Sequence, residues 1–153
     1  MKLTYLDNGA TTFPKPEKVY QAMDYVNRNL AVNAGRGSYD LAKKATGLID
    51  ETRTKMLSLV NGEQVADVIF APSATIALNM IIGGLDWSEN DICFVSPFEH
   101  NAVMRPLKKA QDENKFEIKQ LPVIRENMTI DLEKMEYLFS VCNPTKLFIT
   151  HIS

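Results

Sequence analysis

Short apolar runs alternate with helix-like segments along most of this chain, and this alternation constrains the fold more than any other feature. The apolar runs occupy residues 68–71, 92–95, part of 116–123, and 147–150. Each run is too short for a helix, whereas the intervening segments repeat apolar side chains at helical spacing, over residues 74–82, 101–112 and 131–139. Strands that alternate with helices predict βαβ units with right-handed crossovers. The chain is therefore predicted to be an α/β protein with a mostly parallel sheet and flanking helices.

The N-terminal segment shows a different pattern. Residues 1–15 lack periodicity and contain turn and breaker residues, which predicts an irregular arm. Pro16 suits the first turn of a helix, because apolar residues recur three and four positions apart after it. Ser38 is the predicted N-cap of a longer helix that ends at Asn61-Gly62. These patterns divide the chain into an arm, residues 1–15, and a single α/β body, residues 16–153.

Composition narrows the class of protein. The net charge is −2, and the 17 Lys and Arg residues are scattered, which argues against a nucleic-acid partner. No apolar run approaches the roughly 20 residues of a membrane span, and the polar start does not resemble a signal peptide. The two cysteines are too few for a disulfide framework and too isolated for a zinc site. We therefore expect a cytoplasmic protein that binds no nucleic acid, membrane or metal.

The two cysteines differ in their predicted surroundings. Cys93 lies inside an apolar run and is predicted to be inert core. Cys142 lies near the Asn143-Pro144 turn, where it is predicted to be more exposed, with no cationic side chain evident beside it.

Ligands of open α/β sheets bind beyond the carboxyl ends of the strands, which selects residues 71–75, 96–100 and 150–153. In the first segment, a helix start offers unpaired N–H groups and the positive end of the helix dipole, both of which suit a phosphate. Ser73 and Thr75 add hydroxyl donors. The simpler alternative is that Ser73 only caps the helix, since caps are far commoner than phosphate sites.

Both histidines of the chain lie in the other two segments. An imidazole that follows a strand and precedes a helix can stack on a flat cofactor or carry protons near pH 7, which makes His100 a candidate for both roles. The alternative for His100, and more so for His151, is a surface or hydrogen-bonded side chain without a catalytic role.

Several segments, in the same order, resemble the cysteine desulfurase and class V aminotransferase family. The opening Tyr5–Thr12 resembles YLDNAATT, and Glu99–Val103 resembles EHNAV; these two are the most specific. The further matches are Asn33–Tyr39 with the loop before the second helix, Phe70–Asn79 with FTSGATEANN, Leu121–Val123 and Ile130–Leu132 with the stretch before the next helix, and Thr150–Ser153 with a strand end. The resemblance covers nearly the whole chain.

The resemblance implies a fold-type-I enzyme that uses pyridoxal 5′-phosphate (PLP) and works as a homodimer. It implies that Ala74 and Thr75 bind the PLP phosphate, and that His100 stacks on the pyridine ring and helps to move protons. Residues 16–153 would then be the N-terminal part of the PLP-binding large domain. The implied reaction converts L-cysteine to alanine and leaves the sulfur on the enzyme, from which a sulfur-acceptor protein can take it.

The sequence departs from the family pattern at two positions near the cofactor helix and in length. Ser73 replaces the usual glycine and Ile76 the usual glutamate. The Schiff-base lysine, the aspartate that pairs with the pyridine nitrogen and the cysteine nucleophile lie later in the family, so we expect a fragment that is inactive alone. Lys146 lies at the wrong end of its strand to serve instead. Two alternatives remain: a class V aminotransferase or lyase for another amino acid, and a non-catalytic α/β dimerisation or binding module.

Overall fold

The computed structural model of the chain describes residues 4–64 and 66–150. These residues form two compact units, one that ends at Phe70 and one that begins at Ala71. The predicted division into an arm and a body concerns the domains of a longer family protein, and it stays a prediction.

The first unit contains two helices, α1 (Glu17–Asn29) and α2 (Asp40–Leu59). Pro16 directly precedes α1, as predicted. The N-cap of α2 is Tyr39, so the predicted cap at Ser38 is wrong. Tyr39 makes no side-chain cap bond, and Asp40 instead places a negative charge in the first turn, where the helix dipole favours it.

The end of α2 follows the Asn61-Gly62 signal. Asn61 adopts a left-handed backbone with φ of 52°, and the Gly62 N–H donates to the Leu57 carbonyl oxygen at 2.9 Å. This bond satisfies one of the carbonyls that every helix leaves unpaired at its C-terminus.

The segment that follows α2 is not a strand, so the prediction for residues 68–71 is wrong. Ile69 and Phe70 are 84% and 52% exposed. The Val68 carbonyl accepts a hydrogen bond from Arg53 Nε at 3.2 Å, in the place of a neighbouring strand. An apolar run predicts hydrophobic character, but a strand also needs a partner, and none of the described residues pairs with this one.

The second unit contains the predicted sheet. Its elements in chain order are α3 (Ala74–Gly84), β1 (Ile92–Val95), α4 (Asn101–Asn114), β2 (Glu117–Gln120), β3 (Val123–Ile124), β4 (Thr129–Ile130), α5 (Leu132–Cys142) and β5 (Lys146–Phe148). The main sheet has the order β2-β1-β5, and both pairs are parallel. This topology, with helices packed on the sheet, confirms the predicted fold class.

The short antiparallel pair β3–β4 was absent from the prediction. Its turn places Met128 at a positive φ of 57°, and Asn127 Oδ1 accepts from the Thr129 backbone N–H at 3.1 Å. Strands of two residues are too short to produce an alternating pattern in the sequence.

The core lies on both faces of β1. Cys93 and Val95 point to one face, where they pack with α3 and α4; the buried cluster there also contains Ile82, Val103, Leu107, Ala110 and Phe116. Phe94 points to the other face and meets Phe139 of α5 edge-on, with ring centroids 5.1 Å apart. The strand is therefore buried between two helical layers, as its continuous apolar run predicts. In the part of the chain that the structure describes, no helix is both long and apolar enough to cross a membrane.

Candidate active site

The start of α3 has the geometry of a capped helix with free amides. Ser73, in an extended conformation, is the N-cap, and its Oγ accepts from the Ile76 backbone N–H at 3.2 Å. The amides of Ala74 and Thr75 belong to the first turn, so they have no acceptor within the helix. Both residues are exposed. Ser73 thus acts as the cap that the simpler prediction named, while two further donors and the helix dipole remain available to an anion.

His100 occupies the corresponding position on α4. It is the N-cap of this helix, and its Nδ1 accepts from the Ala102 backbone N–H at 3.0 Å. Because Nδ1 is the acceptor, the hydrogen-bond pattern assigns the proton of the neutral ring to Nε2. The side chain is exposed. The ring is therefore held from one side, and Nε2 is left as a donor for a ligand.

Both helix starts lie toward one edge of the sheet. β1 and β2 are parallel, so the helix that connects them, α4, runs against the strands and begins at their carboxyl ends. α3 packs beside α4 and leads through a short connection into the start of β1, so it too begins toward the carboxyl ends. The fold therefore brings the segment 73–75 and His100 to the same edge.

Glu99 connects the ends of two strands at this edge, a role that was not predicted from the sequence. Its Oε1 accepts from Ser96 Oγ and from the Thr150 backbone N–H, each at 2.5 Å. Its Oε2 accepts from Thr150 Oγ1 at 3.1 Å. Ser96 follows β1 and Thr150 lies just beyond β5, so one carboxylate joins both strand ends. The available signal was a lone carboxylate directly after an apolar strand and before a candidate histidine.

Lys146 is engaged at the opposite edge. Its Nζ lies 2.8 Å from Asp91 Oδ1 and 4.7 Å from the centre of the Trp87 ring. Chiefly through the hydrogen bond from Lys146, the pKa of Asp91 is lowered from 3.8 to about 2. Lys146 begins β5, at the amino end of the strand, and so lies away from the helix starts, in agreement with its exclusion as the cofactor lysine.

The burial of the two cysteines is as predicted, but the surroundings of Cys142 are not. Cys93 is fully buried, and this burial raises the pKa of its thiol to about 11, which makes it a poor nucleophile. Cys142 is partly exposed, but Lys119 Nζ lies 3.2 Å from its Sγ, so the expectation of no cation beside it is wrong. Lys119 is 23 positions away in the sequence and reaches Cys142 only through the packing of α5 on the sheet. The hydrogen bond to Cys142 raises the pKa of Lys119.

His151 and the rest of the third predicted segment, except Thr150, lie outside the described residues. Within residues 4–64 and 66–150, no cluster of potential ligands suits a metal ion.

Comparison with known proteins gives one consistent match. The family model described as Aminotransferase class-V matches residues 4–153. A cysteine desulfurase of Wigglesworthia glossinidia brevipalpis is 27% identical over 157 residues, which cover 99% of this chain and 37% of that protein. A probable cysteine desulfurase of Methanothermobacter thermautotrophicus is 32% identical over 102 residues, or 67% of this chain and 25% of that protein. The matches thus span 25% to 37% of the length of these curated relatives.

Solved structures show the same fold. The apo structure of cysteine desulfurase from Thermococcus onnurineus NA1 superposes with a TM-score of 0.81 at 20% identity, and the match covers 96% of this chain and 36% of that one. The cysteine desulfurase CsdA of Escherichia coli superposes with a TM-score of 0.60 at 23% identity, over 81% of this chain and 32% of that one.

Proposed function

The chain belongs to the class V aminotransferase family, and we propose that it forms the N-terminal part of a PLP-dependent cysteine desulfurase. The observation that carries this proposal is the way in which the His100 imidazole is held and exposed. Its imidazole caps α4 through Nδ1 and is otherwise exposed, at the edge of the sheet where α3 also begins. A ring held in this way presents one face and one N–H to a flat ligand.

The donors at the start of α3 fit the phosphate of PLP. Ala74 and Thr75 would hold it with their backbone N–H groups, and the Thr75 hydroxyl adds a donor. A phosphate dianion is also stabilised by the positive end of the helix dipole. When bound, PLP supplies an electron sink for the amino group and α-carbon of an amino acid. His100 would contact the pyridine ring and hold or transfer a proton at Nε2.

The proposed substrate is L-cysteine. The reaction moves its sulfur to a thiolate of the enzyme, so that the C–S bond breaks, an S–S bond forms and alanine is released. Cys93 is unsuited to receive the sulfur, because its buried thiol resists deprotonation. We infer that the nucleophile, like the lysine that binds PLP covalently, is supplied by the part of the family length that this chain does not span.

The proposal extends to assembly and location. We infer a homodimer, in the cytoplasm, that passes sulfur to an acceptor protein. Among the large apolar side chains of the first unit, Leu6, Met23 and Leu59 are 90%, 55% and 78% exposed, so they are available to a partner subunit.

The test uses two substitutions of His100 in the longest polypeptide that the gene encodes. His100→Asn removes the imidazole but keeps a good N-cap, whereas His100→Ala removes both. We expect both variants to lose about 10²–10⁴-fold in alanine formation from L-cysteine with PLP present, the usual contribution of a general acid or base. We expect only His100→Ala to lower the melting temperature. Near-normal alanine formation by His100→Asn would overturn the role of the imidazole.

A further inference from the structure

The carboxylate of Glu99 replaces a strand neighbour at the end of the sheet. The last bond between β1 and β5 runs from the Ser96 N–H to the Phe148 carbonyl at 2.9 Å. Beyond it the chain turns away into the segment 96–99, so the next N–H on the β5 side, that of Thr150, has no strand carbonyl to meet. Glu99 Oε1 accepts this N–H, as a partly buried backbone donor requires.

The same carboxylate also determines the path of the chain into His100. Ser96 is 2% exposed, and its Oγ donates to Glu99 Oε1 while accepting the Phe98 N–H at 3.3 Å. The turn 96–99 is therefore closed by its own side chains and tied to Thr150. His100 comes next in the chain, and its ring orientation depends on the backbone that this turn delivers to α4.

We propose, resting on the function proposed above, that Glu99 is a positioning residue for His100. By joining the turn after β1 to the end of β5, it fixes the backbone from which the imidazole caps α4 and faces the ligand. Its effect passes through hydrogen bonds rather than through its charge. Gln can place its amide oxygen where Oε1 lies, and the Thr150 hydroxyl can accept from the amide nitrogen instead of donating. Glu99→Gln should therefore preserve the connection, while Glu99→Ala removes it.

The first experiment measures hydrogen exchange of the Ala102 amide in the 153-residue chain, because this N–H donates to His100 Nδ1. We expect Glu99→Ala to speed this exchange by about tenfold, the equivalent of one lost hydrogen bond, and Glu99→Gln to leave it within a factor of about two. Glu113→Ala is the matched control, since Glu113 lies on α4 and, among the residues that the structure describes, forms only an exposed 4.0 Å pair with Lys109. Exchange in Glu99→Ala equal to that in Glu113→Ala would overturn the proposal.

The second experiment measures alanine formation by the longest polypeptide that the gene encodes. We expect Glu99→Ala to lower kcat about 10–100-fold with little change in KM, as misplacing a catalytic group by about 1 Å does, and Glu99→Gln to restore it. A lower melting temperature with unchanged kcat would reduce Glu99 to a purely structural tie and overturn the proposal. If Glu99→Ala does not fold, Thr150→Val is measured in its place, because this substitution removes only the hydrogen bond from Thr150 Oγ1 to Glu99 Oε2. A wild-type protein without desulfurase activity would refute the proposed function, whereas the exchange experiment would still decide whether Glu99 positions His100.

Discussion

Replacing Ser73 tests the phosphate site directly, because its hydroxyl already occupies one of the amides that a phosphate would use. Ser73 Oγ accepts the Ile76 N–H at 3.2 Å, so this donor is withheld from any anion at the start of α3. Ser73 has an extended backbone with φ of −160° and ψ of 161°, which any residue adopts. Ser73→Gly, which restores the residue usual in the family, therefore changes the side chain without requiring a new backbone.

The expected change in PLP affinity follows because the Ile76 N–H exchanges one acceptor, Ser73 Oγ, for another, a phosphate oxygen. Loss of the cap costs the helix a few tenths of a kcal/mol for Ser73→Gly and about 1 kcal/mol for Ser73→Ala. The freed Ile76 N–H can then donate to the phosphate, and a hydrogen bond to a charged group contributes roughly 1.5–3 kcal/mol. We therefore expect the affinity for PLP to rise about 10- to 150-fold, since 1.4 kcal/mol corresponds to a factor of ten.

The assay is a titration of the chain with PLP, followed by the amide NMR signals of Ala74, Thr75 and Ile76, with inorganic phosphate as a second ligand. Ser73→Ala frees the same amide and should tighten binding to a similar extent, despite its larger cost to the helix. The control Ser88→Ala lies outside α3 and should leave the affinity unchanged. Weaker binding by both Ser73 variants would show that the hydroxyl itself donates to the phosphate, and would refute the reasoning.

Two further predictions concern the second unit. Leu107, fully buried in the cluster between α4 and the sheet, should cost about 2–5 kcal/mol of unfolding free energy when replaced by alanine, measured by urea denaturation; a loss below about 1 kcal/mol would mean that the cluster relaxes around the cavity. Because the pKa of Asp91 is lowered to about 2 in the folded state, its contribution to stability is present above about pH 4 and should be lost as the pH falls from 4 toward 2. Melting temperatures over this range should therefore depend less on pH in Asp91→Asn than in the wild type, and equal slopes would contradict the role of the Lys146 pair.

The sequence predicted those parts of the fold that depend on local pattern. The strand at residues 92–95 and the start of α3 at Ala74 match the structure, because an apolar run or a capping serine followed by helical spacing is visible within a short window. The predicted strand at residues 68–71 is wrong, because an apolar pattern does not show which strand would pair with it. The described residues supply no such strand. The hairpin β3–β4 was not predicted, because its strands are too short to produce a recognisable apolar pattern.

The sequence predicted individual residues of the candidate site but not the contacts between them. The strand-end rule located His100 after β1, but it selected Thr75 through a strand at residues 68–71 that the structure does not contain. The family resemblance assigned the roles of both residues, which stay predictions. The role of Glu99 depends on Thr150, which is 51 positions away, and the cation beside Cys142 of α5 comes from Lys119 of β2. Such contacts are produced by the sheet register, and no local property of the sequence encodes them.

The register of the sheet also implies an order of assembly for the site. β1 pairs with β2 between residues 25 positions apart, such as Ile92 and Glu117, but with β5 between residues 53 positions apart, such as Cys93 and Lys146. Each doubling of a closed loop adds about 0.6 kcal/mol of entropic cost, and non-local pairings slow folding. We therefore expect β1, α4 and β2 to form first and β5 to dock last. The turn from β1 into α4 would then precede the bond from Glu99 to Thr150, so the carboxyl edge of the sheet, and with it the fixed orientation of His100, becomes complete only in the final step of folding.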